Sequence, residues 1–262
     1  MSKIKKKGNL LQKKIVTNIV FLLIVLPGIL LSQNNKPSSS VKEDSYEVSV
    51  NKKIFSMALK NGDYTSATNA AYNIIVRDSS AKSWQDSLCS LYFAQGASLQ
   101  CIQTGLNYLV YSPNNLRVLT MIGFSEKNIG QWKDALVVFE NIYSQTKDLL
   151  HLYQVAELQF LCKRYGECES TIEALLKTEN NDLKIAVSIG GQSTQQQVVP
   201  YRAAVLNLKG VLLNDLNQKP VAAACFQEAV KIFPDFILAQ NNLKMITQNS
   251  AAPSQVPSKA GK

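Results

Sequence analysis

The stretch Ala203–Pro234, AAVLNLKGVLLNDLNQKPVAAACFQEAVKIFP, decides how this chain folds. Within it Gly210, Ala222, Phe226, Ala229 and Pro234 follow one another at intervals of 12, 4, 3 and 5 residues. Apolar residues returning at three- and four-residue steps mark amphipathic helices. Small residues twelve apart, one on each of two paired helices, let the helices approach closely, since the side chains at the contact set the distance between axes. The same signature recurs upstream. A first unit begins near Val48, with Asn61–Tyr64 (NGDY) turning the corner before Ala67 and Ala71. A second begins near Lys82 and keeps Cys89, Gly96, Cys101, Tyr108 and Pro113 in step, with Gly105 as an unusual glycine inside a helix. A third begins near Leu116 (Gly123, Gly130, Trp132, Ala135, Phe139) and a fourth near Leu149 (Ala156, Tyr165, Cys168, Ile172). The starts at 48, 82, 116 and 149 are separated by 34, 34 and 33 residues.

This pattern resembles the tetratricopeptide repeat, a helix–turn–helix unit of that period. The resemblance implies an all-α fold, an α-solenoid of such hairpins over residues 43–248, in which each unit packs on its neighbours. Lys209 departs from the apolar residue the family prefers. The resemblance also implies a protein that binds rather than catalyses, with a protein or peptide partner lying in a concave groove lined by the first helix of each hairpin. Carried over position by position, that groove takes Lys52, Phe93, Arg117, Phe124, Lys127, Tyr153, Phe160 and Asn207. The rings of Phe93, Phe124, Tyr153 and Phe160 would serve as anchors, unless they pack between repeats. Arg117 and Lys127 would give the groove a positive side that favours acidic segments. The family's clamp for a terminal carboxylate needs paired Lys and Asn in consecutive units; those pairs are missing here.

The formal charge of +9 is concentrated at one end. Lys3, Lys5, Lys6, Lys7, Lys13 and Lys14 all precede the first acidic residue, Glu43, and account for six of the nine, leaving +3 for the remainder. No later Lys/Arg run has the density of a nucleic-acid surface. Directly after the lysines, residues 15–31 (IVTNIVFLLIVLPGILL) form an apolar run, and a basic start before such a run reads as an export signal. The same 17 residues sit at the lower limit for spanning a bilayer, so residues 1–33 are a cleaved signal peptide or a retained membrane anchor. Either reading places the body outside the cytosol, in the periplasm or envelope of a bacterium. If the leader is uncleaved, the only contact with a membrane is through residues 15–31. Residues 34–42 read as a polar linker and 249–262 as a disordered tail. Asp235 is a good N-cap for a last helix whose Phe236, Ala239, Leu243 and Ile246 form one apolar face over the final repeat, and Val41–Val50 extends the first helix at the other end.

The fifth unit starts 54 residues after the fourth, about 20 beyond the repeat period. The excess is residues 182–202, DLKIAVSIGGQSTQQQVVPYR. Leu183, Ile185, Val187 and Ile189 alternate with Lys184, Ala186 and Ser188, as in a short strand; Gly190-Gly191 turns the chain and Gln197–Pro200 pairs back. A loop insertion or a frayed helical extension is the competing reading. As function, the segment is either a protrusion that touches a partner or, in the alternative that makes this an envelope enzyme or tethered subunit, the place of its site. Nothing else invites chemistry. His151 is the single histidine, and no phosphate-binding glycine loop or nucleophile elbow occurs; no cofactor and no metal are implied. Of five cysteines, Cys89 and Cys101 occupy the facing small positions of one hairpin, within reach of a disulfide. The other reading packs both as small apolar thiols.

Overall fold

The computed structural model describes residues 40–78, 83–178, 182–189 and 195–250. The leader, residues 34–39 of the expected linker, the Gly190-Gly191 turn and the tail beyond Ser250 lie outside the described residues. Eleven helices and two strands are found among the described residues: α1 (Ser40–Lys60), α2 (Tyr64–Arg77), α3 (Ser83–Ala94), α4 (Ser98–Leu109), α5 (Leu116–Asn128), α6 (Trp132–Thr146), α7 (Leu149–Leu161), α8 (Tyr165–Leu176), β1 (Lys184–Ser188), β2 (Gln196–Pro200), α9 (Tyr201–Asp215), α10 (Lys219–Ile232) and α11 (Ile237–Ser250). No helix among them is long and apolar enough to cross a membrane. By its contacts the chain divides after Ile122, inside α5, into two units that are described separately.

In the first unit α1 packs on α2, α2 on α3 and α3 on α4. The corner between α1 and α2 has Gly62 at φ +69°, which a glycine enters without steric cost. Asp63 then caps α2, its carboxylate accepting from the Ser66 N–H at 2.9 Å; that bond holds the carboxyl below its ordinary range. The same left-handed corner returns at Gly96, and further on at Gly130, Lys163 and Asn217. Ala67, Cys89 and Cys101 are wholly buried, as the small positions require. Gly105 extends the set. A Cβ there would lie 2.9 Å from Ile122 Cδ1, so the glycine that looked anomalous in sequence is where Ile122 enters.

In the second unit the same design recurs. The end of α5 meets α6 where Gly123 faces Phe139; a Cβ on Gly123 would stand 2.8 Å from the ring. Ala135, Ala156, Cys168 and Ala222 are fully buried, and a Cβ on Gly210 would come within 2.5 Å of Phe226. Helix α9 is the centre of the unit, with ten of its 15 residues buried.

Strands β1 and β2 pair antiparallel in register Ile185↔Val199 and Val187↔Gln197, so the described residues include a two-stranded sheet beside the helices. The alternation that suggested a strand is the burial pattern itself: Ile185, Val187 and Val199 enter the core, while Lys184, Ala186 and Ser188 face water. Helix α9 begins at Tyr201, two residues ahead of the expected start, because the Tyr201 N–H is held by the Leu183 carbonyl at 2.8 Å and its hydroxyl by that of Leu175 at 3.1 Å.

The last helix differs from expectation at both ends. Asp235 does not cap it; the Ile237 N–H donates to Gln197 Oε1 at 3.1 Å, and Gln197 Nε2 donates to the Asp235 carbonyl at 2.5 Å. A side chain of β2 thus satisfies one of the orphan donors at the helix start. At the other end α11 continues through Ser250, into residues expected to belong to the tail.

Candidate partner-binding surface

The first helices of the hairpins carry every residue proposed for the groove, and the structure sorts them into three groups. Phe93, on α3, and Lys52, on α1, are exposed. Phe124 and Phe160 are half-buried and committed to rings of their own hairpins: Phe124 stands edge-on to Phe139 at 5.0 Å, and Phe160 lies 5.9 Å from Tyr165. Tyr153 and Asn207 are buried. Tyr153 belongs to the core around α9, and burial, with the nearby Glu157 carboxylate, holds its hydroxyl well above the usual tyrosine range. Asn207 accepts from Asn242 Nδ2 at 2.9 Å and so ties α9 to α11. The structure places both among the buried residues and not on an exposed wall. The reason is rotational. Helical spacing puts a ring on the side of the first helix, but the neighbouring hairpin decides whether that side is open.

The two cations of the expected positive side are both paired. Arg117 pairs through Nη2 with Asp86 Oδ2 and donates from Nη1 to Ser90 Oγ at 3.0 Å, tying α5 to α3. Lys127 Nζ lies 2.6 Å from Glu157 Oε2 and 2.9 Å from Gln154 Oε1, tying α5 to α7. Further on, Lys209 pairs with Glu173 at 2.6 Å, which lowers the Glu173 carboxyl below and raises the Lys209 ammonium above their ordinary ranges. Each cation that was to attract an acidic segment already has an acid beside it. Asp86, Ser90, Gln154 and Glu157 are therefore part of this surface, although sequence reasoning passed over them. Their signal is a partner of complementary polarity 27 to 31 residues away, a little less than one repeat. At partly exposed sites such pairs contribute about 0–1 kcal/mol each, so they act as registration more than as glue.

Cys89 and Cys101 meet at the tightest point of their hairpin, with sulfurs 3.5 Å apart and both present as thiols. Hydrogen bonding to Cys101 and burial push the Cys89 thiol far above its ordinary range. Elsewhere, a cavity of about 320 Å³ opens between α9, α10 and α11 over Val211, Phe226, Met245 and Ile246, with Asn214, Lys219 and Asn242 at its rim. His151 sits at the start of α7, its Nδ1 3.3 Å from Thr146 Oγ1. No group of three or more His, Cys, Asp or Glu gathers in metal-binding geometry among the described residues.

A scan against protein-family models found no match, and neither did a search of curated proteins. Solved structures do resemble this chain. It is similar to YrrB, described as a TPR protein with an unusual peptide-binding site, at 16% identity over 79% of this chain and 98% of that one, with a TM-score of 0.60. It is also similar to MamA from Desulfovibrio magneticus RS-1, at 12% identity, 72% and 97% coverage and a TM-score of 0.58. A second MamA structure gives 15% identity, 73% and 94% coverage and a TM-score of 0.54. With the hairpins above, these likenesses establish the class of fold: an α-solenoid of tetratricopeptide-type helical hairpins.

Proposed function

We propose that this chain is a non-enzymatic scaffold that holds a protein or peptide partner against the first helices of its hairpins. The observation that carries the reading is the surface of those helices, where side chains of successive units are locked to one another by Asp86–Arg117–Ser90 and by Gln154–Lys127–Glu157. Within the first unit, the preset polar groups of Asp86, Arg117 and Ser90 beside the exposed ring of Phe93 suit an extended segment whose backbone and side chains exchange hydrogen bonds with them. The fold shared with YrrB supports this, since that protein is described as having a peptide-binding site. Because the cations are already paired, the partner is selected by hydrogen-bonding and aromatic contact and not by acidity.

The scaffold works outside the cytosol. Support for this comes from the six lysines and the apolar run 15–31 at the start of the sequence. A photo-reactive residue placed at Phe93, Ser90 or Gln154 in the native cell should give one discrete protein adduct, and the same residue at Asn141 on α6 should give none. Adducts from Asn141 alone would overturn the reading. Protease added to cells with a permeable outer layer should digest the body while a cytosolic marker survives; protection of both would place it in the cytosol.

A further inference from the structure

The hairpin of residues 184–200 has a hydrogen-bonding edge that its own fold leaves open. The phase of its ladder follows from its two ends. Tyr201 donates to Leu183 at 2.8 Å and Ile189 to Gln195 at 3.0 Å, so 183/201 and 189/195 are hydrogen-bonded pairs. In an antiparallel ladder such pairs alternate with non-bonded ones. Ile185 and Val187 therefore turn their N–H and C=O toward β2, and Lys184, Ala186 and Ser188 turn theirs away from it. Among the described residues none of these outward groups takes part in a hydrogen bond, and all three residues are exposed. An edge of this kind is a template for another strand.

We propose that the edge of β1 pairs with the same edge of a second copy of this chain, antiparallel and two-fold symmetric about Ala186. This goes beyond the partner-holding role and does not depend on it. Three features fit the second copy. The pairing sets Lys184 opposite Ser188 and Ala186 opposite itself, so all three outward residues of each strand form bonded pairs, as an isologous contact requires. Across the resulting four strands Ala186 is flanked by Val198, which is 59% exposed in the single chain and opposes Ala186 in the register. A continuous apolar row, Val198–Ala186–Ala186–Val198, then crosses the sheet face. The two Lys184 ammonium groups, each four residues along from the other, are separated by about 14 Å at ~3.4 Å per residue, beyond the ~8 Å screening length of physiological salt. The charge that protects an edge against random partners is thus compatible with this one register.

The test uses the full chain in detergent micelles, followed by sedimentation equilibrium. Wild type should weigh as two 29.0 kDa chains. Ala186→Pro removes one outward N–H from each strand and leaves the β1–β2 ladder intact; it should weaken association by roughly tenfold or more. Gln196→Pro blanks the opposite edge, on β2, where the Gln196 N–H points away from β1, and should leave the dimer unchanged. Ala186→Cys should form an intermolecular disulfide under mild oxidation by copper–phenanthroline, because bonded antiparallel pairs bring α-carbons to about 5.5 Å. Since every variant retains residues 15–31, association through that run is common to all. A monomeric wild type overturns the proposal. So does a dimer that Ala186→Pro leaves intact while its helical circular dichroism is unaltered, or one that Ala186→Cys does not cross-link.

Discussion

Gly210 has the least room of the described glycines: its missing Cβ would stand 2.5, 2.7 and 2.8 Å from three atoms of the Phe226 ring. Gly210→Leu should therefore wedge α9 from α10 and cost about 1–3 kcal/mol by overpacking, seen as an earlier chemical-denaturation midpoint; a variant unfolding with wild type would mean the pair is not in contact. Lys163 shows the opposite opportunity. It holds φ +58° at a corner where other hairpins place glycine, and a left-handed side chain costs roughly 1–2 kcal/mol. Lys163→Gly should raise stability by about 0.5–1 kcal/mol once glycine's extra unfolded freedom is deducted, measured in the same titration. The buried protons make a third prediction. Burial pushes the Cys168 thiol up to about 12 and the Tyr201 hydroxyl up to about 12. Both groups are kept neutral by the fold, so their contribution is complete below their unfolded pKa values of about 8.5 and 10 and is lost as pH rises toward 12. Melting temperature should be flat from pH 7 to 8 and fall from about pH 9 upward. A melting point that climbed across that range would contradict the burial of these groups.

At the scale of elements, the hairpin of residues 184–200 is structural at its base. Ile185, Val187 and Val199 are built into the core around α9, and Gln197 clasps the start of α11. Gln197→Ala should release the Ile237 N–H and cost about 1 kcal/mol, the usual value of a lost cap. Hydrogen exchange read by mass spectrometry should then speed up in the first turn of α11 and not in α10; unchanged exchange at 237–240 would show that the clasp is idle. The strand period was legible because Ile185, Val187 and Val199 bury one face only, which forces alternation onto the sequence. The clasp was not, because it joins residues 38 and 40 apart and leaves no local pattern. Asp235 carried a genuine capping signature and lost to Gln197, which tertiary packing put in reach.

For the whole molecule, contacts run between neighbouring elements, α1 to α2 to α3 to α4 and again α8 to α9 to α10 to α11. Stability in such an array is a sum of local terms. Gly210→Leu should consequently accelerate exchange in α9 and α10 and leave α1–α4 at their wild-type rates, with a denaturation curve broader than one cooperative step. Uniform acceleration over every helix would show a single cooperative body instead. The binding surface obeys a different logic, because it is defined by what packing leaves over. Phe93 is exposed while Tyr153, also on the first helix of its hairpin, is buried. The difference lies in neighbours a whole repeat away.

By itself the sequence determined the helical hairpins, their number and their spacing. Small residues must recur wherever two helices cross closely, and that demand is written at fixed intervals in Cys89, Cys101, Gly123, Ala135, Ala156, Cys168, Gly210 and Ala222. It determined the strand alternation for the same reason, since burial on one face imposes a period. Only the tertiary structure decided which rings and cations face outward. The fate of Tyr153, Asn207, Arg117 and Lys127 depends on side chains in other elements, Asp86, Glu157 and Asn242 among them. Such pairings turn on distance and rotation across a helix interface, and a periodicity along one helix carries neither.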